Sequence, residues 1–518
     1  MAVSPPPVAR AAAKGPRAVF LAPPRRKIDR RRVFLLLLGA ALFLTVYFWS
    51  PWADAVDPAG KRFALGEQGQ AAVGLLLLAI VWWTFEVIPV GVTSIAVAVL
   101  QALLLIRPDK VVGGQAAPIG GAELAFQEFL HPAVWFIFGS LIIGRAFTKT
   151  GLAQRLAYKI LTLVGERTSW ILLGFLVMTT LLTHLMAHTA VAAAVFPLFV
   201  AIYHLYDESE RPTKFGKALF IGMAMSAGAG SIITLLGSAR GAVGIAFFKE
   251  VTGQEVGFLE LSQYLAPLGW TMVLLTWAFL WLFLRPEHKA IPGLRDRARS
   301  LYARLGPMSR TELLALSIVL LVVILLSLPT FFPALAAVEK SGIILIATVL
   351  FFVTRILDLK DLEEIPWNIV LLFGGAMSLG VCLVETGAAD WMAVHLVGWV
   401  QDTPAVIFLP GVALVVLAAT NLLVSVVTLS VCLPVGLKMA PYLGVSPEVV
   451  LFVELAAAGM PFLFLVGSAP NAIAFESRQF TPGEFFRLGL GATILLLAVL
   501  ALFAMVIWPA MGMSISRP

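Results

Sequence analysis

The chain is 518 residues long, with 60% hydrophobic and only 13% charged residues, and its mean hydropathy is +0.93. Soluble globular proteins carry roughly 25% charged residues, so a string of water-soluble domains is excluded and the chain reads as an all-α polytopic membrane protein. The formal net charge of +7 does not point to nucleic acid, because nine basic residues and one acid fall within residues 1–32 and the rest of the chain is close to neutral.

That first segment, rich in proline and arginine, predicts a disordered cytoplasmic tail facing anionic lipid. Its end, RRRVFLLLL, also has the form of a twin-arginine export signal, with Ala53-Asp54-Ala55 as a small-residue cleavage site. The apolar run is long for a signal peptide and ten more spans follow, which favours a positive-inside anchor. Runs able to cross about 30 Å of hydrocarbon predict eleven spans, at 33–50, 68–88, 90–106, 132–148, 214–248, 263–284, 313–329, 341–357, 367–384, 449–475 and 483–510. An odd number puts the N-terminus in the cytoplasm and the C-terminal tail, 511–518, outside. In that arrangement 28 Lys and Arg residues lie on the inner side and 8 on the outer, as the positive-inside rule requires. The one left over, Arg240, lies within a span.

Two further stretches, 170–203 and 404–437, are each 34 residues long, which as single helices would reach about 51 Å at 1.5 Å per residue. Each has polar residues in its middle: Thr183, His184, His188 and Thr189 in the first, Thr420, Asn421, Ser425 and Thr428 in the second. Polar groups at that depth need protein-lined or wet surroundings, so both stretches predict re-entrant hairpins whose tips stop near the midplane. Two short or tilted spans each are the alternative. The two cysteines, Cys382 and Cys432, lie in apolar stretches and offer neither a disulfide framework nor a metal site.

The segment WFIFGSLIIGRAFTKTGLAQRLA at 135–157 has a counterpart, LLFGGAMSLGVCLVETGAADWMA, at 371–393. Gly139, Gly144, Thr150, Gly151, Ala153 and Ala157 meet Gly375, Gly380, Thr386, Gly387, Ala389 and Ala393 at a constant offset of 236. Each copy is followed by one of the long hairpin stretches and then by Gly-Ser-Ala, at Gly237-Ser238-Ala239 and Gly467-Ser468-Ala469. Five crossings separate equivalent points, so the second copy is inverted relative to the first. Inverted repeats with discontinuous helices at the midplane are the architecture of secondary transporters, in which helix ends offer N–H groups to anions and carbonyls to cations. No G-x-x-x-x-G-K-[ST] loop appears, which disfavours an ATP-driven pump, and no nucleophile–base pair suggests an enzyme.

Four pieces, WWTFEVIP (82–89), GPMSRTE (306–312), WNIVLLFGGAMSLG (367–380) and GSAPNAIAF (467–475), resemble in order and spacing the conserved pieces of the divalent anion/sodium symporter family. These are the carriers of di- and tricarboxylates and sulfate, and the resemblance runs from about residue 68 to 510. It implies a homodimer in which scaffold helices (33–148 and 312–384) stay in place while a transport domain carries a small anionic substrate across in an elevator motion. That domain would comprise 149–284, with hairpin 170–203 and broken helix 214–248, and 385–510, with hairpin 404–437 and broken helix 449–475; residues 285–311 form a basic cytoplasmic loop. The family's Ser-Asn-Thr at each hairpin tip is altered here. Counting back from Pro197 and Pro434, the tips read Ala187-His188-Thr189 and Val424-Ser425-Val426, followed by Val427-Thr428. The first break reads Gly237-Ser238-Ala239-Arg240-Gly241 where the family has G-T-P-P-N, whereas the second keeps Pro470 and Asn471.

Substrate-binding candidates are therefore His188, Thr189, Arg240, Ser425, Thr428, Ser468 and Asn471, with Gly237, Ser238, Gly467 and Ser468 as candidate cation contacts. Arginine in the membrane core costs at least about 2.5 kcal/mol and needs a partner or an aqueous cavity. Arg240 is either one half of a salt bridge, with Glu454 as the acid of the tenth span, or a fixed cation beside the substrate. As a fixed cation it would repel sodium at the first site by about 3 kcal/mol at 5 Å and an effective dielectric near 20, and its planar fork suits a carboxylate or sulfate. His188 reads as a donor to an anion, a proton-coupling group or a packing residue. With His184 it would make a zinc pair if the tip stayed helical, although no third ligand is evident. Glu454 is the partner of Arg240 or a proton carrier, and Glu86 reads as an interfacial cap. The expectation is a secondary carrier of small dianions with reduced or absent sodium dependence, and no cofactor beyond Na+ at one site or H+ coupling. A cation/proton antiporter with an essential carboxylate such as Glu454, and a non-transporting receptor on a carrier fold, are the rival readings.

Overall fold

The computed structural model describes residues 29–49, 52–109, 120–207, 211–335, 338–400 and 403–516. Residues 1–28, on which the expected disorder and lipid contact of the tail rest, lie outside these. The carboxylate of Asp29 caps α1 (Arg30–Phe48), accepting from the backbone N–H groups of Arg31 and Arg32, and α1 packs along α2 (Gly66–Thr84). Between them a two-stranded antiparallel ribbon, β1 (Ala55–Val56) and β2 (Arg62–Phe63), sets Ala55 opposite Phe63. There follow α3 (Val90–Leu103), the short α4 (Gly121–Gln127), α5 (Pro132–Thr150), α6 (Leu152–Val164), the pair α7 (Thr168–Thr183) and α8 (His188–Tyr206), the pair α9 (Lys214–Ser231) and α10 (Ala239–Thr252), and the long α11 (Phe258–Phe283). After α12 (Leu294–Arg304) the order recurs. It runs through α13 (Arg310–Phe331), α14 (Lys340–Val353), the short α15 (Leu359–Glu363), α16 (Trp367–Glu385), α17 (Ala388–Val400), the pair α18 (Ala405–Leu422) and α19 (Ser425–Met439), the pair α20 (Pro447–Gly459) and α21 (Ala469–Phe475), and α22 (Pro482–Leu502).

The repeat reaches down to single backbone angles. α3 and α14 are both 14 residues long, and each is followed by a left-handed residue, Leu105 (φ 50) and Arg355 (φ 57). α6 and α17 are both 13 residues long, and each is entered through a left-handed glycine, Gly151 (φ 80) and Gly387 (φ 74), a conformation that a Cβ would strain. The hairpin turns end on Ala187 (φ −55, ψ 134) and Val424 (φ −63, ψ 136). Packing is exchanged between the halves: α3 lies on α16 and α14 on α5, while α10 lies on α19 and α21 on α8. The conserved pair Gly139 and Gly375 explains part of this. A methyl on Gly139 would overlap Ile344 of α14, and a methyl on Gly375 would overlap Ser94 of α3, so both glycines admit the partner helix of the other half, as small residues do between membrane helices.

Nine helices among the described residues are long and apolar enough to cross a membrane, against eleven predicted spans. The two counts differ because apolar runs do not respect helix ends. α2 begins with the polar run Gly66-Glu67-Gln68-Gly69-Gln70 and falls out of the nine; α3 and α14, at 14 residues, reach only about 21 Å; the runs 214–248 and 449–475 are each two helices around a break; and α8, α18 and α19, which are among the nine, belong to the two long stretches. Each of those stretches is divided by a short turn, at 184–187 and 423–424, that touches the neighbouring break. Both cysteines are free.

Ion pairs tie the halves together at opposite ends of the molecule. At one end Arg107, just beyond α3 and 2% exposed, donates from Nε to Glu385 at the end of α16 (2.8 Å) and from Nη1 to the Leu124 carbonyl (2.6 Å), and it approaches Glu128 at 3.4 Å. At the other end Arg145 and Lys149, near the end of α5, pair with Asp361 of α15, and Lys149 also reaches Asp358 at 3.0 Å. The connecting helices are tied in the same crossed manner. Arg155 of α6 pairs with Glu312 of α13 (2.8 Å) and donates to the carbonyl of Gly306 (2.9 Å). At the equivalent position of α17, Trp391 donates to the Ala53 carbonyl (3.0 Å) and packs on Trp52.

Burial works to raise the Asp361 carboxyl, but the hydrogen bonds from Lys149 and Arg145 and from the backbone hold it down to about 2. Its contribution to stability is therefore expected in full above the ordinary aspartate value of about 3.9 and lost as pH falls through about 2. An acid titration of the unfolding midpoint should lose that step in Asp361→Asn. Arg107→Met removes the buried guanidinium from between the half-buried Glu128 and Glu385, and breaking a buried pair costs up to about 3–5 kcal/mol. A thermal-unfolding midpoint in detergent close to that of the parent would disprove the tie.

Candidate functional site

A helix broken inside a membrane strands backbone N–H and C=O groups that water cannot reach, so each break has to be closed by neighbouring groups. The first break, residues 232–238 between α9 and α10, is closed by the first hairpin. The His188 N–H donates to the Gly237 carbonyl at 3.0 Å, the Thr234 hydroxyl donates to the His184 carbonyl at 3.0 Å, and the Gly237 N–H donates to the Thr234 hydroxyl at 3.2 Å. Gly237 has no room for a side chain, since a methyl would lie 2.5 Å from the Thr183 carbonyl. The second break, residues 460–468 between α20 and α21, is closed by two asparagines. Asn421, at the end of α18 and 1% exposed, accepts from the N–H groups of Leu463 (2.8 Å) and Phe464 (3.3 Å) and donates to the Leu417 carbonyl (2.7 Å). Asn471 donates to the carbonyls of Pro461 (2.8 Å) and Phe464 (3.0 Å). Both breaks end on an extended serine, Ser238 (φ −160, ψ 136) and Ser468 (φ −156, ψ 144), that opens the next helix without capping it by its side chain.

The two breaks meet. A methyl on Gly228 of α9 would lie 3.2 Å from the Gly459 carbonyl at the end of α20. Arg240, in the first turn of α10 and 3% exposed, fills this junction. Its Nη2 donates to the Ser231 hydroxyl, which in turn donates to the Gly228 carbonyl at 2.6 Å. The same guanidinium lies against Gly459, where a methyl would stand 3.2 Å from Nη2 and 3.3 Å from Nε, and Nε has no acceptor. Ser231 and Gly459 are the last residues of α9 and α20, so the cation sits where two helix C-terminal ends, each with a partial negative charge, converge.

The expected Arg240–Glu454 salt bridge is not formed. Glu454 lies against Gly436 of α19, and no carboxylate pairs with Arg240 among the described residues. The zinc pair also fails: the tip is not helical between His184 and His188, His184 Nδ1 bonds the Thr180 carbonyl at 2.6 Å with its ring against Trp270, and no metal-holding cluster occurs among the described residues. His188 opens α8, with Nδ1 3.3 Å from the Gly237 carbonyl. In the neutral ring that bond places the proton on Nδ1 and leaves Nε2 an acceptor, so only a protonated His188 has a second donor for an anion. Thr189, beside it, is half-buried, as is Ser425 at the start of α19. Thr428, one turn further along, is fully buried with no partner for its hydroxyl. Asn471 spends both donors within its own break, which leaves only its amide oxygen free to meet a ligand. Asn421, Ser231, Thr234 and Gly459 were not among the candidates; the polar cluster in the middle of 404–437 was the one signal for Asn421.

Residues 57–514 match the model of the sodium:sulfate symporter transmembrane region. The chain belongs to this symporter family. Among relatives of this symporter-family chain, the sodium-dependent dicarboxylate transporter SdcS of Staphylococcus saprophyticus is 24% identical over 506 residues, covering 93% of each chain. SdcS of Staphylococcus aureus is 25% identical over 507 residues, covering 93% of this chain and 92% of its own. The solved structures of Neisseria gonorrhoeae MtrF (TM-score 0.58, 14% identity, 85% of this chain and 99% of that one) and Alcanivorax borkumensis YdaH (TM-score 0.52, 13% identity, 86% and 100%) share the fold. The protein is thus an integral multi-pass membrane transporter of the divalent anion/sodium symporter type, and not an enzyme.

Asn421→Leu keeps the branched shape but removes the acceptor for Leu463 and Phe464. The expected loss is about 1–3 kcal/mol for each stranded N–H, seen as a lower unfolding midpoint; no change would mean the break is held by other groups.

Proposed function

We propose that the protein is a secondary carrier of small dianions, a di- or tricarboxylate or sulfate, in which Arg240 takes the place of a coupling sodium at the first break. The observation that carries this reading is the guanidinium between the ends of α9 and α20, with no carboxylate beside it. Half-helix C-terminal ends and unwound carbonyls are where such carriers hold their cations. A resident positive charge there disfavours sodium and favours an anion. The relatives named as sodium-dependent dicarboxylate transporters supply the substrate class. The second break, with Gly467 and Ser468, has no resident cation among the described residues and is left for one sodium, unless a proton does the coupling.

An elevator motion fits the ties. α6 and α17 are bound through Arg155 and Trp391 to the segments that precede α13 and α2, so in this reading they stay with the scaffold, unlike in the sequence-based division that gave them to the moving domain (149–284 and 385–510), while the hairpins and broken helices swing on the short links beyond them. On one side a crevice of about 440 Å³, lined by small residues such as Ala153, Ala157, Ala194 and Ala201, separates α8 from α5 and α6. On the other, Lys438 of α19 is tied to Asp390 of α17 at 3.1 Å, a bond that the motion must break. The ion pairs each join residues that the order of crossings places on one side, and the inward N-terminus is supported by the excess of Lys and Arg on its side. α1 and α13 are the least buried of the long apolar helices, surfaces open to lipid or to the second copy of a homodimer.

Proteoliposome uptake of succinate, citrate and sulfate, in sodium and in choline, tests the reading. Uptake should persist in choline. Arg240→Ala should weaken the substrate at least tenfold, as loss of one charged hydrogen bond worth about 1.5–3 kcal/mol implies. Full sodium dependence with an unaffected alanine variant would sink it.

A further inference from the structure

Glu454 stands halfway along α20 and is 1% exposed. Its Oε1 lies so close to Gly436 of α19 that a methyl there would overlap it, with Val450 alongside. Oε2 has no hydrogen-bond partner. The groups around it are mostly uncharged. α19 carries Cys432 one turn before Gly436, and Lys438, whose ammonium is held on Asp390 at 3.1 Å. α18 brings the Thr420 hydroxyl, bonded to the Ala458 carbonyl at 3.3 Å. α10 sets Gly244 against Leu451 and Leu455, and its Arg240 lies further along at Gly459. α9 meets the end of α20 at Gly228, α11 packs Tyr264 on Phe452, and in the turn after α19 Tyr442 bonds Asp57 at 3.4 Å.

A membrane carboxyl without a counter-charge needs a cation or a proton. Hard metal cations take several oxygen ligands at once, and this pocket offers the two carboxyl oxygens among glycine, valine and cysteine. A proton needs one oxygen. We infer that Glu454 is a proton-binding site that couples the anion to the proton gradient. This rests on the reading that Arg240 has taken over the part of sodium. The carboxyl lies between α19 and α20, both in the body that moves in that reading, so a proton that binds one oxygen on one side of the membrane travels with the substrate. It leaves the same oxygen on the other side.

The test uses proteoliposomes of the full chain loaded with a pH-sensitive dye and given a succinate gradient without sodium. Succinate uptake by the parent should acidify the lumen. Glu454→Gln should keep succinate/succinate exchange while proton entry falls at least tenfold and the dependence of uptake on external pH flattens; Glu454→Asp should restore part of the proton entry. A measurement on the parent needs no variant to fold: reaction with a hydrophobic carbodiimide should place the adduct on Glu454, located by peptide mass spectrometry, and abolish proton entry. Sodium-free uptake whose proton entry survives in Glu454→Gln or after complete labelling overturns this assignment alone. Uptake that requires sodium overturns this assignment, and it overturns the role given to Arg240 as well where Arg240→Ala leaves that uptake unchanged.

Discussion

The structure depends on one demand: a helix interrupted in hydrocarbon must have its freed backbone groups bonded by protein. Each unmet group at that depth costs several kcal/mol. Gly237, His188 and Thr234 meet the demand at the first break, and Asn421 and Asn471 at the second. Because the groups that close a break come largely from the hairpin tip beside it, hairpin and broken helix hold together as one unit in each half. The ligand-facing positions are then fixed as by-products, since they are the helix ends the breaks create.

The repeat was legible because it rests on glycines whose absence of a side chain is visible in any alignment of the chain with itself, whereas the exchange of partner helices between the halves was not. Gly139 and Gly375 recur because equivalent partner helices press on both. Span ends were less legible. Apolar residues continue past α3 and α14 into turns, and only backbone angles such as those of Leu105 and Arg355 mark where the helix stops. The site was half legible. Arg240 was identifiable as the basic residue with no place outside the membrane, but its surroundings were not: the sequence displays acids, and the obvious one was Glu454, whereas the compensation comes from backbone at the ends of α9 and α20. Asn421 escaped because counting back from Pro434 measures the return arm of the hairpin and says nothing of the arm that precedes the turn.

Arg240 and Glu454 also combine electrically. In the proposed cycle the loaded body carries the guanidinium, the dianion and a protonated, neutral Glu454, which leaves one net negative charge, whereas the empty body, with Glu454 ionised, is neutral. Moving a unit charge across 100 mV is worth about 2.3 kcal/mol, and without the proton the load would carry twice that charge. The loaded crossing is then the voltage-sensitive step, and the proton halves its electrical work.

The ties at the two ends of the molecule have opposite polarity at equivalent positions: a basic Lys149 on the end of α5 meets acids, and an acidic Glu385 on the end of α16 meets Arg107. Two copies of the first half brought together would set Lys149 against Arg107, and two copies of the second would set Glu385 against Asp358 and Asp361. Each half is therefore a match for the other and a mismatch for itself. A duplicated sequence with such divergence no longer tolerates self-pairing, and its two parts are committed to each other as unlike partners.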